Sequence, residues 1–301
     1  MLYDIIIVGG GPAGLTAAIY GRRANKSVLV IDKGAFGGQI TFSPMVENIP
    51  GFISLSGNEF AEKLVDQAIH QGVEFESAEV LSVRPGEIKT VVTDGSEFEC
   101  RSVILATGAK HRTLGLPGEE NFIGDGISFC AVCDGAFYKG QTVGVIGGGN
   151  SALQEALLLA ELCKEVIVVQ NLDFLTGEEK LQKQLREKPN VRIILGTVVD
   201  SILPGERFSG IRVRKEADGT VSELALDGLF VAIGLLPQNE PFADVIALDE
   251  RGYAAADESC ATGTEGIFVA GDCRAKRIRQ VTTAASDGAV AALAACNYLD
   301  R

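Results

Sequence analysis

Only two histidines, His70 and His111, occur in the 301 residues, and no second C-x-x-C accompanies Cys130-Ala131-Val132-Cys133. A C-x-x-C alone also fits half of a zinc site. Structural zinc takes four ligands, however, from two such pairs or from a pair plus histidines. No metal is therefore expected. No stretch reaches the roughly 18 to 20 apolar residues needed to span a bilayer, so membrane residence is not expected. The opening MLYDIIIVGGGPAG has no basic segment followed by a long apolar run and a cleavage site, so it is not read as an export signal. Positive charge is also short, with 27 Lys and Arg against 40 Asp and Glu and a net charge of −13. Nucleic-acid binding depends on neutralising phosphates, and this balance argues against it.

Cysteine is sparse outside that pair. Cys100, Cys163, Cys260, Cys273 and Cys296 are scattered, and seven is an odd number. That is no secreted disulfide framework, so a reducing cytoplasm is the expected location. The five read as small buried hydrophobes.

What remains is a chain long enough for two domains, with 46% hydrophobic residues as in a folded globular protein. Tyr3 to Val8 is a β-branched apolar run that reads as a buried parallel strand. It enters Gly9-Gly10-Gly11-Pro12-Ala13-Gly14, a G-x-G-x-x-G, followed by an alanine-rich helix from Leu15 to Arg23. Such glycines permit a tight turn and let backbone amides approach a pyrophosphate at the helix start. A second strand, Ser27 to Ile31, ends at Asp32, where a carboxylate would grip ribose hydroxyls. Strand, fingerprint, helix, strand and acid in this order indicate dinucleotide binding.

Gly37-Gly38-Gln39 and Val46 to Gly51 lack periodicity and read as loops, and Gly57 to Gln71 as an amphipathic helix. Gly72 to Cys100 reads as short strands with turns at Pro85-Gly86 and Asp94-Gly95. Val103 to Ala106 is a further buried strand, leading into Thr107-Gly108. The second half then repeats the opening: a strand from Gln141 to Ile146, Gly147-Gly148-Gly149-Asn150-Ser151-Ala152, a helix to Leu162 and a strand from Glu165 to Val169. Further strands are expected near Val191 to Ile194, Gly210 to Arg214 and Gly228 to Ile233. Near the end, a strand closes on Gly271-Asp272, which can present Asp272 to a ribityl hydroxyl or simply cap a turn. A small-residue helix runs from about Thr282 to Leu299. Between them Arg274, Lys276, Arg277 and Arg279 form a basic cluster. It reads as a solvated face, a docking surface for an acidic protein or a hold on cofactor phosphate.

Cys130 to Asp134 lies just before the second fingerprint. Two cysteines at this spacing can close a small reversible disulfide, and a carboxyl group follows at once. Thiol–disulfide exchange needs a thiolate attacker, a resolving thiol and a proton source, and these residues supply all three.

The ordered set GGGPAG, GGQ, VENIPG, ATGA, CAVCDG, GGGNSA and GDCRAKRIRQV resembles the bacterial low-molecular-weight thioredoxin reductases over nearly the whole chain. The resemblance implies an α/β protein of two Rossmann-like, three-layer domains, the second inserted into the first. Residues 1–112 and 242–301 would bind FAD, and residues 113–241 would form a pyridine-nucleotide-like domain carrying the disulfide. It further implies a homodimer that reduces thioredoxin. By motif, FAD would contact Gly9, Gly11, Pro12, Ala13, Gly14, Asp32, Gly38, Gln39, Asn48, Thr107, Gly108, Gly271, Asp272, Arg279, Gln280 and Val281. Cys133 would face the flavin, Cys130 would attack the thioredoxin disulfide, and Asp134 would be the acid.

One signature is missing. The family's usual members take electrons from NADPH, whose 2′-phosphate is gripped by His-Arg-Arg-x-x-x-Arg after the second βαβ. The matching residues here are Gln170-Asn171-Leu172-Asp173-Phe174-Leu175-Thr176, with Glu178 and Glu179 beyond. Three lost hydrogen bonds to a charged group cost about 4–9 kcal/mol, or roughly three to six decades of affinity. An NADH site normally places an acid where Gln170 stands, though Gly147, Gly149 and Ala152 survive. The pattern therefore resembles the ferredoxin-dependent flavin thioredoxin reductases, with reduced ferredoxin as donor and the basic cluster as a candidate landing patch. An NADH-dependent reductase is the alternative within the class, and an FAD-binding redox sensor the alternative outside it.

Overall fold

The structure is a computed structural model and describes residues 1–43 and 45–301. In chain order the elements begin with β1 (Leu2–Val8), α1 (Pro12–Arg23), β2 (Val28–Asp32), α2 (Gly57–His70), β3 (Glu74–Ser77), β4 (Val80–Arg84), β5 (Lys89–Thr93), β6 (Glu97–Leu105) and β7 (Ala109–His111). There follow β8 (Ile127–Ser128), α3 (Ala131–Asp134), β9 (Thr142–Ile146), α4 (Asn150–Leu162), β10 (Glu165–Val169), α5 (Glu179–Arg186), β11 (Val191–Ile194), β12 (Thr197–Ile202), β13 (Gly210–Lys215), β14 (Val221–Ala225) and β15 (Gly228–Val231). The chain closes with β16 (Leu235–Pro237), β17 (Ile267–Val269) and α6 (Val281–Leu299).

Two compact units result, one of residues 1–41, 49–110 and 236–301, the other of residues 42–48 and 111–235. The sequence reading placed the divisions at 112/113 and 241/242; the contacts of the chain place them at 110/111 and 235/236 and assign 42–48 to the second unit.

In the first unit β3, β2, β1 and β6 run parallel, and β6 also pairs in parallel with β17 and antiparallel with β5, which continues to β4. Successive residues of β1 point to opposite faces, and both faces are covered. Ile5 and Ile7 join α1 and α6 in one cluster, while Tyr3, Ile6 and Val8 join Phe242, Val245 and Ile246 in the other. A strand buried on both sides has to be apolar throughout, which is why this run was readable. In the second unit β11, β10, β9, β15 and β8 form a parallel sheet. Val143 and Val145 face α4, while Ile146, Ile167 and Val169 face the antiparallel meander β12–β13–β14. The expected α/β class with two Rossmann-like units is what the chain adopts.

Several boundaries move for local reasons. Helix α1 opens at Pro12 rather than Leu15, because proline needs no N–H in the first turn and its fixed φ suits a helix start. Helix α4 likewise opens at Asn150. The Gly38–Phe42 stretch is a short 3-10 helix rather than a loop. Strand β6 is longer than expected because its first half pairs with β5 and its second with β17.

Candidate functional site

The first glycine turn sits in a vice. Gly9 has φ +111°, a conformation side chains rarely adopt, and a Cβ there would lie 2.3 Å from the Ala106 carbonyl oxygen. At Gly14 a Cβ would lie 1.8 Å from the Gly9 carbonyl oxygen. Gly11 caps α1 without any side-chain hydrogen bond, so the first-turn N–H groups have no side chain to serve them. Asp32, at the end of β2, accepts the Gly10 N–H at 2.6 Å and the Gly34 N–H at 2.8 Å. Gly37 donates to the Gly10 carbonyl at 2.8 Å, and a Cβ on Gly38 would lie 2.9 Å from Gly11 Cα. The two glycine stretches thus lie against each other, and the Gln39 amide ties the second to the Ala109 carbonyl. Asn48 belongs to the 42–48 segment that groups with the second unit.

On the same unit, Thr107 donates to Asn239 Oδ1 at 3.1 Å, while Asn239 Nδ2 donates to the Gly252 and Cys273 carbonyls. Fully buried Asn239 joins the end of β6 to the Gly271-Asp272 turn, a role sequence reading missed. Gly108 accepts the Gln238 N–H at 3.3 Å. Asp272 is half-buried, desolvation pushes its carboxyl up, and its buried Oδ1 has no hydrogen-bond partner among the described residues. A buried acceptor without a donor is costly, so the atom suits a hydroxyl-bearing ligand. Gln280 and Val281 open α6, where Gln280 and Thr283 form a reciprocal cap.

The basic cluster is not a surface patch. Arg274 is 3% exposed and pairs with Asp287 of α6, and the Lys276 side chain reaches Asp287 Oδ2 at 2.9 Å. Arg279 lies 4.2 Å from the Tyr253 ring centroid and donates to the Asp272 carbonyl. Of the four, only Arg277 is exposed. Asp287 also accepts the Gly271 N–H at 3.0 Å, so the cations hold the turn that presents Asp272. The landing-patch reading is corrected accordingly: a buried carboxylate on α6, which sequence gave no means of pairing with them, draws the cations inward.

In the second unit Cys130 and Cys133 are joined as a disulfide with their Cα atoms 5.3 Å apart. Cys130 caps α3, and Asp134 ends it and caps the 3-10 turn Gly135–Tyr138 that follows. Ser128, another residue the sequence did not single out, accepts the Cys130 N–H at 3.1 Å and donates to Asp134 Oδ2 at 2.5 Å. Burial pushes the Asp134 carboxyl up, and its Oδ1 has no partner among the described residues. Burial makes this carboxyl hold its proton more tightly than an ordinary one, and beside a disulfide it is placed to give that proton to a departing sulfur. The other five cysteines are free and buried, as expected.

The family described as pyridine nucleotide-disulphide oxidoreductase matches residues 3–288. The chain is 39% identical to the thioredoxin reductase of Listeria innocua, covering 99% of this chain and 94% of that protein. The chain belongs to the thioredoxin reductase family. Among solved structures, thioredoxin reductase from Streptococcus pyogenes matches with a TM-score of 0.94 and 39% identity over 99% of this chain and 98% of that one. Thioredoxin reductase from Giardia duodenalis matches with a TM-score of 0.93 and 32% identity over 100% and 99%. The chain is accordingly a flavin-dependent disulfide oxidoreductase, and FAD is the cofactor of its family. The residues present fit that group: free N–H groups opening α1 suit a diphosphate, and the unpartnered Asp272 oxygen suits a polyol.

Within this thioredoxin reductase family member, the second glycine turn is covered by its own chain. A Cβ on Gly148 would lie 2.6 Å from the Gln170 side chain. Gln170 is buried and donates to the Phe174 carbonyl at 3.4 Å. Thr176 and Gly177 donate to the Gly148 carbonyl at 2.9 Å, and Glu178 exchanges hydrogen bonds with the Asn150 side chain at the start of α4. The 170–178 loop therefore brings Glu178, and no arginine or lysine, to the start of that helix.

Proposed function

We propose that this chain reduces the disulfide of thioredoxin through Cys130 and Cys133, with FAD held by the first unit and reduced ferredoxin as electron donor. The observation that carries the disulfide chemistry is the closed Cys130–Cys133 pair beside a half-buried carboxyl held by Ser128. Bound FAD supplies the conversion between one-electron delivery and two-electron disulfide reduction. The N–H groups opening α1, with Gly9, Gly11 and Gly14, would hold its diphosphate, and Asp272 its ribityl chain. Once reduced, Cys130 attacks the partner disulfide as a thiolate and Asp134 gives its proton to the departing sulfur. Cys133 then passes its proton to Asp134 and bonds to Cys130, releasing the second partner sulfur, which takes that proton. Two electrons and two protons leave for each disulfide opened.

The donor assignment rests on what surrounds the second glycine turn. No cation replaces the family's arginines from 170 to 176, and Glu178 adds negative charge beside Asn150 at the start of α4. A ferredoxin near about −400 mV and a thioredoxin near about −270 mV differ by roughly 130 mV, about 6 kcal/mol for two electrons. The flow is downhill. The basic cluster lends no support, since most of it is inside the fold. Within this reading the enzyme works as a homodimer in the cytoplasm, as the family resemblance implies.

Anaerobic spectra after adding NADPH, NADH and reduced ferredoxin separately test the donor. Ferredoxin alone should bleach the flavin on a catalytic timescale. Bleaching by NADH within milliseconds would establish the NADH-dependent alternative, and bleaching by NADPH would overturn the argument from charge. A redox sensor would stall after one cycle with thioredoxin.

A further inference from the structure

Strand β8 places a hydroxyl on an apolar face of its sheet. Successive strand residues point to opposite faces. Ile127 joins Leu229 in one core cluster, so Ser128 is turned to the other side, where its pairing partner Phe230 packs with Ala131, Val143 and Val145. Ser128 is only 5% exposed there. A buried hydroxyl needs partners, and both of its partners belong to the disulfide turn. It accepts the Cys130 N–H at 3.1 Å and donates to Asp134 Oδ2 at 2.5 Å. Asp134 in turn donates its own N–H to the Cys130 carbonyl at 3.0 Å. The proposed attacker and the proposed acid are thus joined twice, once through the backbone and once through Ser128.

We propose that Ser128 is a positioning residue for the disulfide chemistry: its hydroxyl engages Oδ2 of Asp134, ties that oxygen to the Cys130 backbone, and leaves Oδ1 to carry the proton towards the departing sulfur. Oδ1 is buried and has no hydrogen-bond partner among the described residues, so a proton on it is not drawn to another acceptor. When Cys130 bonds to one sulfur of the partner disulfide, the partner's S–S bond breaks. The other sulfur takes the electron pair, and the Oδ1 proton neutralises it. Asp134 is then a carboxylate, the form that a hydroxyl donor favours. Burial raises the proton affinity of Asp134, and the Ser128 hydroxyl opposes it. Ser128 therefore keeps a desolvated carboxyl acidic enough to give its proton up.

Few other ionisable groups surround Asp134. Tyr138, in the 3-10 turn Gly135–Tyr138, is pushed up by burial and by the charges of Asp134 and Asp125. Lys139 beyond it is exposed. Helix α4 brings Glu155, which burial pushes up to about 7 with the Asp134 charge adding to it, and Glu161, which pairs with Lys188. Cys163, just past the end of α4, is a buried thiol pushed up to about 11. Strands β9 and β15 bring no ionisable side chain.

The inference rests on Asp134 being the acid, and the experiment separates the two ideas. In the FAD-loaded enzyme, Ser128→Ala removes the donor, so the Asp134 carboxyl should hold its proton to higher pH. The alkaline limb of kcat/KM for thioredoxin reduction should move up by about one pH unit, the effect of one hydrogen bond on a carboxylate, while the rate below the limb falls. Ser128→Thr, which keeps the hydroxyl, should return the limb to its wild-type position. A Ser128→Ala profile lowered equally at every pH is that of a merely structural residue and overturns the proposal. An alkaline limb that persists unchanged in Asp134→Asn removes the acid reading itself, and the proposal with it. Isotope-edited infrared spectra of the oxidised enzyme, with Asp134 assigned by its loss in Asp134→Asn, give a readout that needs no change at Ser128. Below the Asp134 midpoint its C=O stretch should lie at the lower frequency of a carbonyl that accepts a hydrogen bond; the frequency of a free carbonyl overturns the proposal.

Discussion

Arg274 and Asp287 form a buried two-point ion pair, with Nη2 3.0 Å from Oδ1 and Nε 3.2 Å from Oδ2. The pair joins the strand-end turn to α6, and Asp287 reaches on to the Gly271 N–H. Breaking a buried pair from one side leaves a charge without compensation, which typically costs about 3–5 kcal/mol. Arg274→Ala should therefore lower the midpoint of thermal unfolding well beyond error, Lys276 supplying part of the lost charge. Arg277→Ala, at an exposed site, should stay within about 0.5 kcal/mol. These hydrogen bonds and cations hold the Asp287 carboxyl below its usual range against the opposing effect of burial. A depressed carboxylate contributes stability above the ordinary carboxylate range and loses it as pH falls through the folded value. Asp287→Asn should accordingly cost most near neutrality and progressively less in acid. If Arg274→Ala instead leaves stability untouched and weakens ferredoxin binding, the surface-patch reading regains its standing.

Glu155 has the opposite dependence. Its folded pKa, about 7 against an ordinary 4.5, means that the native state holds a proton the unfolded chain releases. Stability from this group is complete below about pH 4.5 and falls as pH rises towards 7. At 1.36 kcal/mol per unit the loss is about 3 kcal/mol. Glu155→Gln should flatten that decline, and denaturant unfolding at pH 5 and pH 8 measures it. Equal slopes in variant and wild type would show that the carboxyl does not titrate in the fold.

Much of this arrangement was legible because it follows local rules. The β1 run, the glycine turn and α1 are contiguous, and a doubly buried strand must be apolar throughout. The disulfide lies within four residues. What escaped reading depends on partners far apart in sequence. Asn239 looks like one more polar residue in a loop until the fold carries it to Thr107, 132 positions away. Asp287 sits in a small-residue helix with no hint that two cations close on it. Ser128 is an ordinary residue until the fold sets its hydroxyl between the Cys130 N–H and the Asp134 carboxyl. The basic cluster misled for the same reason: charge density in sequence says nothing about burial, which here is set by one carboxylate 13 residues on.

The sulfur chemistry predicts separable defects. Cys130→Ser should leave reduction of the flavin by its donor intact and abolish thioredoxin turnover. Cys133→Ser should stop electrons passing from flavin to sulfur. Asp134→Asn should lower turnover by roughly 10²–10⁴-fold, the usual contribution of a positioned acid, without slowing flavin reduction. Stopped-flow spectra combined with a thioredoxin thiol assay distinguish the three. Flavin reduction lost in Cys130→Ser alone would exchange the roles of the two cysteines.

The 170–178 loop offers the sharpest test of what feeds the flavin. Asn171 and Leu172 are exposed, and Thr176 already faces the turn, its Oγ1 3.7 Å from where a Cβ on Gly149 would stand. Asn171→Arg, Leu172→Arg and Thr176→Arg together would restore the three cations without entering the core, so the fold should tolerate them. Three charge-assisted hydrogen bonds are worth about 4–9 kcal/mol, and NADPH affinity should rise by roughly three to six decades. Glu178 opposes part of that gain, so adding Glu178→Gln should raise it further. Calorimetry with NADPH reads the binding, and anaerobic bleaching of the flavin reads its use. Binding without bleaching would show that donor choice is controlled beyond this loop. A wild-type enzyme that NADPH already reduces quickly would show that the missing arginines do not decide it.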